Sequence, residues 1–311
     1  MAVIFDDLKR KLLDASDVLR HTRPGAVIRA AVGRTAPRIL NDGDVEDPGA
    51  TANTAETLLD LTRRLQAEAL DDRGRVDYRK LRTGPAREAL DAASRALHHA
   101  RPEALEGSEA RIAFWLDVYN VLAIHGVIAL GLERSVMEDL RFFETVAYRV
   151  GGQSYTLDEI EQGVLRRNAP HPVGGQRLFR EGDPRLEVAP ASLDPRIHAA
   201  LVCASASCPA VRFYEQTRLD QQLEAAARHQ VAEEVTVEAG RILLPLVFRY
   251  YAEDFGGEAG IRAYLLAHAD APLARALEAA APLPLAYRRY DWSLNAAEVS
   301  EATAELRSGD G

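Results

Sequence analysis

The sequence contains few cysteines and methionines, two of each in 311 residues. Two cysteines are too few for a disulfide-stapled scaffold or a multi-cysteine zinc module. Positive charge is not in excess either, because 38 Lys and Arg residues stand against 47 Asp and Glu residues. A general nucleic-acid-binding surface is therefore not expected. Neither a G-x-x-x-x-G-K-[ST] phosphate loop nor an H-E-x-x-H zinc motif occurs, so neither P-loop nor zincin chemistry is supported.

Long apolar runs are also scarce. The stretch that is long enough to cross a membrane, Ile112–Leu132, contains Asp117, Asn120 and His125. A charged residue at the centre of a bilayer costs about 2.5–3.5 kcal/mol even on the mildest scale, so we predict a buried core helix and no membrane span. The N-terminus has acidic residues and no apolar core of signal-peptide length, and a cytoplasmic location is therefore expected.

Two parts of the chain differ in pattern. Residues 1–40 predict two amphipathic helices, the second broken near Gly33, and residues 41–54 have the Asp, Gly, Pro and Thr content of a linker. We expect an N-terminal helical region with its linker over residues 1–50 and a main domain over residues 51–311. The N-terminal helices would suit self-association, so a homo-oligomer is expected. A single domain that includes both parts is an equal alternative.

The main domain predicts an α+β fold that is mostly helical, with a small mixed or antiparallel sheet. Hairpins are expected around Gly151–Gly152 and Gly240, and an apolar run at 198–204 predicts a buried strand. Residues 168–195 have no clean period and predict a long loop. Helical periods are found near residues 54–70, 85–100, 109–130, 158–167, 217–235 and 257–281.

Four ordered motifs resemble one protein family. They are the runs AFWLDVYNVLAIHGV, VGGQSYTLDEIEQGVLR, DPRIHAALVCASASCPAVRFY and YDWSLN, and the upstream run GRVDYRKL fits the start of the same pattern. Together they resemble the bacterial domain-of-unknown-function family 547 over residues 74–295. The resemblance implies membership in a family whose activity is not established, and it does not extend to the first 70 residues.

The third motif is the best candidate for chemistry, with His198, Cys203 and Cys208 spaced as H-x4-C-x4-C. On a strand from His198 to Cys203 these two side chains would point to opposite faces, which predicts a structural role for Cys203. Pro209 suits the first turn of a helix. Cys208 would then lie at a helix N-terminus, where the positive end of the helix lowers the pKa of a thiol.

We predict from these residues a cysteine-dependent hydrolase or acyl-transfer enzyme that acts on an amide, ester or thioester. Cys208 would be the nucleophile, with His198 or His125 within hydrogen-bonding reach as its base. Asn120 or Glu161 would orient the imidazole. The architecture expected for such a site is a cysteine-peptidase-like fold, and the substrate would be a small molecule or a peptide.

Further residues are candidates to bind the substrate or to stabilise its transition state. Backbone N–H groups at Ser207 and Cys208 would stabilise an oxyanion. Arg166 and Arg212 are candidates to bind a substrate carboxylate, because a guanidinium group matches the geometry of a carboxylate. Surface salt bridges are the alternative interpretation of both arginines.

Three other interpretations stay open. In a non-catalytic interaction module, Asp117, Asn120 and His125 would be satisfied core groups and residues 168–195 a partner surface. In a second interpretation, the two cysteines bind a metal together with His198. Their spacing fits no standard metal-binding pattern, so we predict no metal and no cofactor. In a third interpretation, the same two thiols form a reversible disulfide, although their spacing is not the C-x-x-C of common redox motifs.

The position of Asn120 gives one further expectation. An amide on a helix that is apolar on every side has no water to satisfy it. Asn120 is therefore predicted to bond backbone groups of the loop before Cys208 or of the hairpin at Gly151–Gly152.

Overall fold

The computed structural model describes residues 36–43, 54–280 and 282–297. Its α-helices are α1 Thr54–Ala69, α2 Pro85–Ala96, α3 Gly107–Ala129, α4 Phe142–Thr145, α5 Leu219–Glu234, α6 Val247–Tyr250, α7 Gly257–His268 and α8 Ala271–Ala279, and a π-helix spans Glu159–Leu165. Its strands are β1 Arg38–Ile39, β2 Val146–Val150, β3 Gln153–Thr156, β4 Thr236–Glu238, β5 Arg241–Leu244 and β6 Leu285–Tyr287. The strands form two small mixed sheets, ordered β1-β2-β3 and β4-β5-β6, which confirms the predicted α+β class.

Part of the N-terminal segment packs on the main domain. β1 pairs in parallel with β2 in a stretch where a helix was predicted. Asn41 is 1% exposed, and its side-chain amide donates a hydrogen bond to the carbonyl of Ser94 at 2.7 Å. The first 35 residues, with the predicted helices, the break at Gly33 and the self-association surface, lie outside the described residues. The division near residue 50 stays a prediction.

Helix α3 forms the centre of the larger core. Every side chain on it from Ile112 to Ile128 is buried, as expected for a helix that is apolar on all faces. It packs against α1, β2 and the π-helix. Within the described part of the chain it is the one helix long and apolar enough to cross a membrane, and 94% of its apolar window is buried inside the protein. The prediction of a buried core helix is confirmed.

The predicted hairpin at Gly151–Gly152 is confirmed. β2 and β3 pair in antiparallel register up to Val150 and Gln153, and both glycines have positive φ, as a tight two-residue hairpin turn requires. The helix predicted next in the chain is a π-helix, a form that is rare and frequent at functional sites. A Cβ atom on Gly163 of this helix would lie 2.3 Å from the ring of Phe179, so this close approach requires glycine.

A second, smaller core lies between the sheet β4-β5-β6 and helices α5, α7 and α8. The predicted hairpin at Gly240 joins β4 to β5, and β5 ends immediately before Pro245, which has no N–H to continue a ladder. The pocket described below is lined by residues of both cores.

Two predictions are wrong for residues 198–215, which contain both cysteines and are called the cysteine segment below. His198 lies in a 3₁₀ turn, Pro195–Ala199, and residues 200–203 are irregular, where a strand was predicted. Residues 209–215 are also irregular, so no helix begins at Pro209. Cys208 therefore gains no stabilisation from a helix N-terminus.

Candidate thiol site

Cys203 and Cys208 lie in the wall of a pocket of about 130 Å³. Its walls come from the π-helix, from residues 171–173 of the predicted long loop, from residues 198–209, from α5, from residues 245–251, which include α6, and from residues 288–292 near the C-terminus. Four predicted site residues share this wall, namely Cys208, His198, Glu161 and Ser207.

The two cysteines form a disulfide with each other. Cys203 is 5% exposed, whereas Cys208 is half-buried. Cys203 was predicted to point away from the site on a strand, but it lines the same pocket as Cys208. Among the described residues, no set of three or more His, Cys, Asp and Glu side chains is placed to hold a metal ion.

Polar groups converge on the sulfur of Cys208. The backbone N–H of Cys203 donates to Cys208 Sγ at 2.9 Å. The hydroxyls of Ser205 and Tyr290 lie 3.4 and 3.3 Å from the same sulfur. Hydrogen bonds to the charged form of a group favour that form, so these donors would stabilise a Cys208 thiolate in the reduced protein.

The loop between the cysteines is held by the last motif of the chain. Ala204 has a φ of 61°, a left-handed conformation that is costly for a residue with a Cβ atom. Its carbonyl accepts a hydrogen bond from the N–H of Asn295 at 3.1 Å, and the N–H of Ala206 donates to Ser293 at 2.7 Å. Backbone pairing with YDWSLN therefore fixes the loop and places Tyr290 against the sulfurs.

The predicted oxyanion donors are already bonded within the protein. The N–H of Ser207 donates to the carbonyl of Asp291 at 3.3 Å, and the N–H of Cys208 donates to the carbonyl of Ser205 at 3.0 Å. The Ser207 hydroxyl in turn accepts from the N–H of Asp291 at 2.8 Å. Neither predicted N–H group is thus available to a substrate in this conformation.

His198 is held by an aspartate that sequence reasoning missed. Its Nε2 lies 2.8 Å from Oδ2 of Asp254, and its ring stacks on Tyr251 with the centroids 4.0 Å apart. Burial lowers the pKa of His198, and the hydrogen bond to Asp254 opposes that shift without cancelling it. The imidazole is therefore neutral at pH 7 and donates from Nε2 to Asp254. The side chain that contacts Nε2 of this imidazole is therefore Asp254, and not the predicted Asn120 or Glu161.

Arg166 is the second partner of Asp254. Its Nε and Nη2 donate to the two carboxylate oxygens at 2.5 and 2.6 Å, and both side chains are at most 5% exposed. Burial alone would raise the pKa of Asp254, but the hydrogen bonds from Arg166 and His198 outweigh it and hold this pKa at about 2. Arg166 is thus neither a surface salt bridge nor a free carboxylate receptor, because its guanidinium is bound inside the protein.

Glu161 belongs to the same buried network. Its carboxylate accepts hydrogen bonds from the hydroxyls of Tyr251 and, at 3.2 Å, Tyr119. Sequence reasoning did not single out Tyr251 or Asp254, and it noted Tyr290 only as part of the motif YDWSLN. An acidic residue among aromatic residues in RYYAEDF was the only local signal for Asp254.

The structure does not bring His125 or Arg212 into the pocket. His125 contacts the hydroxyl of Tyr148 through Nδ1 at 2.8 Å and Asp91 through Nε2 at 3.3 Å, and none of these three residues lines the pocket. The Arg212 side chain is exposed, and its backbone carbonyl accepts a hydrogen bond from Asn120. His125 is therefore a satisfied core group, as in the structural interpretation.

Asn120 fastens the cysteine segment to α3. Its Nδ2 donates to the carbonyls of Ala200 and Arg212, each at 3.1 Å, and its Oδ1 accepts from the N–H of Val202 at 2.9 Å. The side chain is fully buried. The prediction that Asn120 bonds backbone of the loop before Cys208 is confirmed.

The Asn120→Ala substitution should lower the free energy of unfolding by about 1–3 kcal/mol, because it leaves buried backbone groups without partners. Urea denaturation measures the change. Gln221→Ala, an exposed change on α5, is the control and should stay within about 0.5 kcal/mol of wild type. Equal stability of the two variants would contradict the fastening role of Asn120.

Comparison with known families agrees with the motifs. Residues 102–231 match the family described as "Protein of unknown function, DUF547". This segment includes the first three motifs, whereas GRVDYRKL and YDWSLN lie outside it. The predicted resemblance to family 547 is therefore confirmed over this segment of the chain. Neither a curated protein nor a solved structure matches the sequence.

Proposed function

We propose that Cys203 and Cys208 are a redox-active pair and that the protein exchanges disulfides with a small-molecule or peptide thiol. The observation that carries this proposal is a bonded cysteine pair in a pocket wall, with three polar groups around Cys208 Sγ. The thiolate is the form of cysteine that attacks a disulfide, and donors near the sulfur favour this form.

The exchange would proceed in two steps. In the reduced protein, the Cys208 thiolate attacks one sulfur of a substrate disulfide, whose S–S bond breaks, and the leaving thiolate takes a proton from water. Cys203 then gives its proton to solvent and attacks Cys208 Sγ, so that the protein disulfide forms and the bond to the substrate sulfur breaks. That second sulfur leaves as a thiolate and takes a proton from solvent. The protein thereby loses two electrons and the substrate gains them. Cys208 reacts first because it is the more accessible of the two cysteines. It is half-buried, whereas Cys203 is buried, with 5% of its surface exposed.

The proposed location is the cytoplasm. Thiols there are kept reduced, and the disulfides that occur are mostly transient ones with catalytic or redox-sensing roles. A reversible pair fits that compartment better than a permanent crosslink does.

A second candidate is the cysteine-dependent hydrolase or acyltransferase with a cysteine-peptidase-like fold. The observation that favours it is the presence of His198, oriented by Asp254, in the same pocket as Cys208. Cys208 would be the nucleophile and His198 its base. The bonded N–H groups of Ser207 and Cys208 weigh against it, because an oxyanion needs free donors.

Thiol stoichiometry tests the exchange proposal. Fully reduced protein is freed of reductant and mixed with 2-hydroxyethyl disulfide. Each wild-type molecule should release two thiols and keep no adduct, whereas Cys203→Ala should release one thiol and keep a mixed disulfide on Cys208, seen by intact mass. A wild-type protein that retains its adduct, or a Cys208→Ala variant that reacts as fast as wild type, would contradict the proposal.

The same variants separate the alternatives. A hydrolase needs Cys208 and not Cys203, so hydrolysis of a thioester that survives Cys203→Ala favours the second candidate. A protein that reacts with neither a disulfide nor a thioester would contradict both candidates and favour the interaction module.

A further inference from the structure

Two side chains on α5 face the thiol pocket and have no role in the exchange chemistry described above. Gln230 and Glu234 are four residues apart, so they lie on consecutive turns of one helix face. Both line the pocket together with Cys203 and Cys208.

Gln230 has an unused acceptor. Its side chain is 3% exposed, and its Oε1 finds no hydrogen-bond donor among the residues that the structure describes. A buried acceptor without a donor costs on the order of 1–3 kcal/mol, so such an atom in a pocket wall indicates a ligand that donates.

Glu234 adds a carboxylate to the same wall. Arg288 is close, but its Nε donates to the backbone carbonyl of Glu234 at 3.2 Å and its Nη2 to the hydroxyl of Thr236 at 3.0 Å. Burial raises the pKa of Glu234 to about 7, and the charge of Arg288 only partly offsets this shift. No described side chain donates a hydrogen bond to the Glu234 carboxylate, so a cationic donor from a ligand would stabilise its charged form.

We propose that the substrate of the thiol pocket carries an ammonium group, which binds between Gln230 Oε1 and the Glu234 carboxylate while its sulfur meets Cys208. This inference rests on the proposed exchange function and adds the substrate class, an amine-bearing small thiol or disulfide. An ammonium group has three donors and no acceptor, which matches a pair of acceptors. Arg289, exposed at the pocket rim, would favour a carboxylate instead, and the test therefore includes a carboxylate substrate.

Three small disulfides provide the test: cystamine, which carries amines, 2-hydroxyethyl disulfide, which is neutral, and 3,3′-dithiodipropionic acid, which carries carboxylates. Their rates of reaction with reduced protein are measured at pH 8, where Glu234 is ionised. Each rate is divided by the rate of the same disulfide with free dithiothreitol, since leaving-group differences affect both reactions alike. Wild type should prefer cystamine over the neutral disulfide by about tenfold or more, as expected for a charge-assisted hydrogen bond.

Substitutions test which residues cause the preference for cystamine. Glu234→Gln should reduce it to about twofold or less, and Gln230→Met should weaken it. Glu238→Gln is the matched control, because it removes the same charge from an exposed site that does not line the pocket, and it should keep the preference. Thermal melts verify that each variant is folded.

The outcomes distinguish the two proposals. Equal corrected rates for the three disulfides, a preference for the carboxylate, or a cystamine preference that Glu238→Gln removes as well as Glu234→Gln would overturn the ammonium site while leaving exchange intact. Failure of all three disulfides to react would overturn the exchange function itself.

Discussion

Replacing Asp254 by alanine should lower the free energy of unfolding by about 3–5 kcal/mol, because it leaves the Arg166 guanidinium buried without a counter-charge. The Arg166 side chain is only 4% exposed, so its charge is shielded from bulk solvent. His198 also loses the partner of its Nε2. Urea denaturation at pH 7 gives the change in stability.

A surface pair provides the control for that measurement. Asp220 binds Arg196 at 2.9 Å, but its side chain is 83% exposed. Asp220→Ala should therefore cost less than about 1 kcal/mol. A loss for Asp254→Ala that is as small as the loss for Asp220→Ala would contradict the buried network.

Acid should destabilise the protein through His125. Burial, with a smaller effect of the Arg87 charge, lowers the pKa of His125 from 6.5 to about 4, although Asp91 opposes the shift. Between these two values the unfolded chain binds a proton that the folded protein does not. The contribution of His125 to stability is therefore complete above pH 6.5 and is lost as the pH falls to about 4, a change on the order of 3 kcal/mol.

The measurement is urea denaturation at pH 7 and at pH 4. The stability difference between the two pH values should be smaller in His125→Gln than in wild type by about 3 kcal/mol, because the neutral amide does not titrate. His229→Gln, an exposed change on α5, should keep the wild-type difference. The same pH dependence in both variants would mean that His125 is not the buried neutral group.

Local pattern predicted the helices and hairpins well, because hydrophobic period and glycine turns are properties of neighbouring residues. Helix α3 and the hairpin at Gly151–Gly152 are examples. The backbone role of Asn120 was also predictable, since an amide inside an apolar helix must find partners nearby.

The cysteine segment shows where local pattern fails. HAALVCA has the apolar content of a buried strand, but its backbone bonds go to Asn120 and to the distant YDWSLN motif, so no ladder forms. Because the predicted strand does not form, the side chain of Cys203 does not point in the direction that strand alternation predicted. The disulfide with Cys208 then depends on the left-handed turn at Ala204, which the sequence does not signal.

The buried ion pair of Arg166 and Asp254 also could not be predicted from the sequence. Arg166 and Asp254 are 88 residues apart, and their pairing depends on how the π-helix meets the segment after α6. A sequence shows the charges of both residues but not that they are buried together. The alternative interpretation of Arg166, a surface salt bridge, follows the statistics of exposed arginines, and burial overrides these statistics here.

The most direct test of the account is the thiol pKa of Cys208 in a Cys203→Ala background, taken from the rate of iodoacetamide labelling against pH. The N–H of residue 203 and the hydroxyls of Ser205 and Tyr290 should hold this pKa below the free value of about 8.5, and Tyr290→Phe should raise it. A pKa at or above 8.5 that Tyr290→Phe leaves unchanged, or a Cys208 that does not label, would contradict a reactive thiol in this pocket.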